Sequence, residues 1–138
     1  MATLTKFNCF VEDLAEKKHN LGSDQLVVAL CASANAPSAS NTVLTDLTQI
    51  SYTNLSSRNI TTSSSSQTSG TYKLILSDLT LSASGGSVAP FRYVVVYNDT
   101  STSDSLIGYA DYGSDTTLNS GESIVIDFDG SNGAIAIS

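Results

Sequence analysis

Hydrophobic positions along the chain change period once. In residues 7–18, Phe7, Phe10, Val11 and Leu14 fall at i, i+3, i+4 and i+7, which gathers them on one face of a helix. Glu12, Asp13, Glu16 and Lys17 take the remaining positions, with acids ahead of bases as the helix dipole prefers. Asn20 and Gly22 supply the stop. The pattern predicts one short amphipathic helix over about residues 7–19, laid against a sheet.

From Gln25 the spacing is that of strands. Gln25 to Ala32 is a compact apolar run with β-branched members, ended by Ser33, Asn35 and Pro37. A polar stretch follows, with short strands expected at 42–44 and 49–53. Residues 59–70, with four consecutive serines, read as a flexible loop or as a polar edge strand, and residues 56–70 as ordered either alone or only on binding. Tyr72, Leu74 and Leu76 alternate on one side of the next strand, and Leu79 and Leu81 continue before a turn at Ser84-Gly-Gly-Ser87. Phe91 to Tyr97 is apolar on both faces apart from Arg92, which places it centrally in a sheet. An exposed loop at 98–104, strands from Leu106 and from Ser123, and a hairpin turn at Asp129 to Gly133 leading into Ala134–Ile137 complete the series. Seven or eight short strands at this spacing predict a mostly β chain: a β-sandwich, jelly-roll-like or Greek-key, with the one N-terminal helix.

Length and composition narrow this to a single domain over residues 1–138. Polarity comes from hydroxyls rather than charge, with 24 Ser and 15 Thr against 14% charged residues, and such a surface suits strands and turns. The net charge of −7 is uneven. No Lys or Arg follows Arg92, whereas Asp99, Asp104, Asp111, Asp115, Glu122, Asp127 and Asp129 do. Nucleic acid and anionic membrane surfaces both need a basic face, so neither is an expected partner. No stretch approaches the ~20 apolar residues of a spanning helix, and the start has no basic region before an apolar core, which predicts a chain that begins at Met1 and is not secreted by the ordinary route. Cys9, on the helix, and Cys31, on a strand, are expected to be reduced core residues.

Candidate chemistry is sparse. The single histidine, His19, has no nucleophile motif near it and reads as a solvated helix-end residue. Asp127 and Asp129 have the first two spacings of a calcium loop, but the glycine comes too early and Ser138 stands where the bidentate Glu belongs, so the segment reads as a turn. Asp111, Asp115 and Glu122 form only a generic acidic rim. Asn54-Leu-Ser, Asn59-Ile-Thr and Asn98-Asp-Thr have the glycosylation spacing, which arises by chance in so hydroxyl-rich a chain. No enzyme, metal or cofactor is expected.

Three stretches, Lys6 to Asp24, Pro90 to Thr100 and Gly121 to Gly133, resemble small virion structural proteins of tailed bacteriophages. The resemblance implies a capsid decoration or cement protein on the outer surface of the head, made in the host cytoplasm, with the major capsid protein and further copies of itself, as a homo-dimer or homo-trimer, as partners. Partner contacts are then expected at Tyr97, Tyr109 and Tyr112, or at Phe7 and Phe10 if the helix docks outward, with core packing the alternative for each tyrosine. A second class of function, a tail or head-surface adhesion or carbohydrate-binding module, needs an aromatic platform, for which six Tyr, four Phe and no Trp equip the chain modestly.

Overall fold

The computed structural model describes residues 4–138. The described residues are mostly β, with three antiparallel sheets and one α-helix, which is consistent with a β-sandwich-like fold. The largest sheet runs in the order β1 (Thr5–Lys6), β8 (Leu106–Thr116), β7 (Phe91–Asn98), β2 (Leu26–Cys31) and β3 (Asn59–Ile60). The second runs β10 (Ile135–Ile137), β5 (Thr71–Leu76), β4 (Thr62–Thr68), and β6 (Leu79–Ser82) pairs with β9 (Ser123–Ile126).

Register explains why β2 and β7 carry continuous apolar runs. Val28 opposes Val96 and Leu30 opposes Val94, and these side chains meet Leu74, Leu81 and Ile126 of the smaller sheets in the main core. The alternate residues Val27, Ala29, Val95 and Tyr97 point to the other face, where Phe7 and Leu106 join them and Leu44 and Leu47 pack over the cluster. All six residues of β2 are therefore buried, as a strand covered on both faces requires. Arg92, the one charge in β7, donates from Nε and Nη2 to the Asp111 carboxylate at 2.7 and 2.9 Å.

The outer edge of β2 is closed almost residue by residue. Two-residue β3 pairs with Leu26 and Val27. Beyond it, the Val28 amide donates to the Arg58 carbonyl at 3.0 Å while the Arg58 guanidinium donates back to the Val28 carbonyl. The Leu30 amide donates to the Tyr52 hydroxyl at 3.0 Å, that hydroxyl donates to Gln49 Oε1 at 2.6 Å, and the Ile50 amide donates to the Leu30 carbonyl at 3.0 Å. Arg58 lies over the Tyr52 ring, 3.7 Å from its centre. Residues 49–53, expected as a strand, thus form none and instead satisfy a sheet edge with a side chain and one amide.

Several other expectations are corrected. The helix, α1 (Cys9–Ala15), is shorter than 7–19. Phe7 is held back by the β ladder, its amide donating to the Ile107 carbonyl. At the far end Lys17 adopts φ +71°, with Lys17 N to Leu14 O at 3.3 Å and Lys18 N to Asp13 O at 2.8 Å. That is a Schellman stop with lysine in the place usually held by glycine, so the helix ends before Asn20 and Gly22. Residues 42–44 give a single bridge, Val43 to Ser105, then a short 3-10 turn over Leu44–Asp46. Asp129 Oδ1 accepts from the amides of Ser131 and Asn132, but β9 and β10 lie in different sheets, so the turn is a crossing and not a hairpin. Residues 62–68 form a polar edge strand, one of the two readings of that segment.

Candidate functional site

An apolar groove of about 810 Å³ lies where α1, β1, β8 and β10 meet. Phe10, Leu14 and Ile107 line it, each also packed in or against the main core. Its two sides are the terminal strands of different sheets, β1 and β10. Val11 and Ile137 line it as well and stand 54% and 41% exposed, although both are large and apolar. Among the described residues Lys6 is the one lining residue with a charged side chain, and no carboxylate side chain lines the groove in a chain of net charge −7. Exposed apolar side chains between two unfinished sheets fit an extended apolar segment better than a small polar ligand.

The exposure of Val11 follows from the shortened helix. Phe10 and Leu14 turn toward the core, Asp13 is buried and paired with Lys18 at 2.9 Å, and Val11 is left at the margin of the apolar face. Ile137 follows from register: Ile135 opposes Leu74 and packs on the core, while Ile137 opposes half-buried Tyr72 farther out.

A polar cleft of about 680 Å³ lies on another side of α1, lined by Cys9, Asp13, Lys18, Thr42 and Ser101 among others. Burial, and then the Asp13 carboxylate, push the Cys9 thiol above its ordinary pKa, and its Sγ lies 3.7 Å from the carbonyls of Asn41 and Thr42. Cys31 is pushed up by burial to about 11. Both cysteines are free, and a protonated thiol is a poor nucleophile and metal ligand. Among the described residues no three His, Cys, Asp or Glu side chains converge as a metal site.

The bottom of the molecule's N-terminal segment is tied down by a buried polar knot. His19, expected in solvent, is only 5% exposed. Asn98 is wholly buried; its Oδ1 accepts from the amides of Thr100 and Ser101 at 3.0 and 3.2 Å, which fixes the orientation of the amide. Its Nδ2 therefore donates, to Asp24 Oδ2 at 2.6 Å and to His19 Nδ1 at 3.0 Å. A ring nitrogen that accepts carries no proton, so the proton of neutral His19 sits on Nε2, which is buried without a hydrogen-bond partner among the described residues. Burial pushes the His19 pKa down; the Asp13 and Asp24 carboxylates oppose that shift and Lys18 adds to it.

The five residues expected at a partner interface do not form one surface. Phe7 and Tyr97 are buried in the second cluster with half-buried Tyr109, whose ring lies 4.8 Å from that of Phe7. Phe10 is buried in the main core, stacks 5.4 Å from His19 and is exposed only as groove floor, and Tyr112 packs half-buried against the same core. Phe7, Phe10 and Tyr97 are thus spent on the chain's own packing, at a gain of about 1.5–3 kcal/mol for a fully buried large side chain. Sequence reasoning missed Ile137, Ile107 and Asn98. The signal for Asn98 was present, an Asn at the end of a buried strand and two residues before Thr100, the spacing of a side chain that caps its own turn.

No helix among the described residues is long and apolar enough to cross a membrane. No family model, curated protein or solved structure matches this chain.

Proposed function

We propose that the chain is a structural binding protein of a virus particle, a phage capsid decoration or cement protein that docks on the major-capsid lattice and bridges neighbouring capsomers. The observation that supports this reading best is the groove between β1 and β10, with Val11 and Ile137 exposed beside it. In this reading an extended apolar segment of the capsid protein lies in the groove, adds its backbone to the open strand edges and places any carboxylate beside Lys6. A ligand that binds only the assembled lattice stabilises it by mass action, which needs rigidity and contact area but no reactive group. The protein acts on the outer surface of the head and as a homo-dimer or homo-trimer.

The test is co-sedimentation with particles stripped of the protein. The native chain is expected to rebind and to raise the temperature at which the shells open. V11E/I137E, altered at exposed positions, is expected to stay folded by circular dichroism and to lose binding at least tenfold, since two carboxylates would be buried against a single lining cation, Lys6. Equal binding by the double variant would remove the groove from the account.

A further inference from the structure

β4 lies on an open sheet edge for its full seven residues, and six of them are exposed. Folded proteins ordinarily blunt such an edge with charge, proline or cover. Here no charged residue and no proline occurs from Asn59 through Tyr72, and the strand's one register shift lies at its start, between Thr62 and Ser64. The chain does cover an edge elsewhere, with Arg58 and Tyr52 on β2.

Charge and side-chain chemistry together select the occupant. Two copies of a chain with net charge −7 repel except where the surface carries no carboxylate, and β4 supplies such a stretch. Its serine and threonine hydroxyls both donate and accept, so each can meet its own kind across a symmetric contact. The strand offers no apolar pocket that would hold the side chains of a foreign strand.

We propose that two copies of this chain pair antiparallel through β4, about a two-fold axis at Ser65, which joins two three-stranded sheets into one of six. Ser64 to Thr68 pair with β5 in unbroken register, and the one shift of the strand falls at Ser63. Ser69 and Gly70, at φ +51° and +85°, form a two-residue turn closed by the pair Thr68 and Thr71. Alternation along the antiparallel ladder then turns the amides and carbonyls of Gln67 and Ser65 away from β5, toward the open side. An axis at Ser65 sets Ser65 against Ser65, Gln67 against Ser63, and Ser64 against Ser66 on the face opposite the core. A strand pair is smaller than the ~1,000 Å² of a stable interface, so the dissociation constant is expected on the order of 0.1–1 mM and pairing becomes substantial when copies are concentrated side by side. Self-pairing at β4 does not depend on what the groove binds.

Sedimentation velocity over a concentration series up to about the millimolar range is the test, with two charge variants that fix the register. S64D/S66D places like charges opposite one another and is expected to weaken the dimer roughly fivefold, whereas S64K/S66D places opposite charges there and is expected to match or exceed the native chain. Q67P removes an outward amide at a position that an edge strand tolerates and is expected to abolish pairing, with the fold checked by circular dichroism. A chain that stays monomeric throughout, equal effects of the two charge variants, or a dimer lost in V11E/I137E but kept in S64D/S66D would each overturn the proposal.

Discussion

Two sheet edges in this protein are built in opposite ways. The edge of β2 is apolar, buried and closed by β3, Arg58, Tyr52 and Ile50, so its amides and carbonyls are satisfied within the chain. The edge of β4 is hydroxylated, exposed and left open. A buried edge loses water, and each backbone group left unpaired there costs about 1–3 kcal/mol. An exposed edge keeps its water and costs nothing until another strand arrives. The same backbone therefore contributes stability at one edge and is free to bind at the other.

Substitutions should sort by that division. Leu30→Ala, at a wholly buried position of β2, should cost about 3 kcal/mol in urea unfolding. Asn98→Ala, which strands the Thr100 and Ser101 amides, Asp24 and His19 together, should cost about 2–3 kcal/mol by the same measurement. Tyr52→Phe removes only the hydroxyl that joins Gln49 to the Leu30 amide, and a loss of about 1–2 kcal/mol is expected; no loss would mean that water already serves that edge. Ser66→Ala on β4 should change monomer stability by less than about 0.5 kcal/mol.

Acid separates the polar knot from the exposed carboxylates. His19 has its folded pKa pushed below the ordinary 6.5 by burial. Above 6.5 it is neutral in both states; as pH falls below that value the unfolded chain takes the proton first, and stability declines until the folded value is reached. Asp46, Asp111 and Asp129 are held below the ordinary 3.8, Asp46 and Asp129 mainly by backbone amides and Asp111 mainly by Arg92. Their contribution is present above that value and is lost only as pH falls through their folded values. Melting temperatures from pH 7 to 5 should therefore fall for the native chain and stay nearly flat for His19→Gln. A parallel fall in both would place the acid sensitivity outside the knot.

Strands with strong patterns were legible in sequence. β2, β5, β7 and β9 follow from apolar runs and alternation, and burial of β7 on both faces was readable from Val94 to Tyr97. What escaped was structure made by single residues. Lysine in a left-handed stop at 17 carries no sequence signal, because glycine or asparagine is the residue expected there. The charged stretch Glu16 to His19 looks solvated, yet His19 is buried because Asn98, remote in sequence, supplies a hydrogen bond that no local pattern contains. The groove was half legible. Val11 belongs to a recognisable helical face, but its exposure depends on where β10 ends up, and sheet order is a tertiary property.

The docking role proposed for the groove, seating a partner strand on a capsid, can be seen in a cryo-electron microscopy map of particles that carry the chain. Density bridging capsomers on the outer shell is expected, with an extended capsid segment lying between β1 and β10 against Val11 and Ile137. Density confined to the tail, or shell density with the groove facing open solvent, would contradict it.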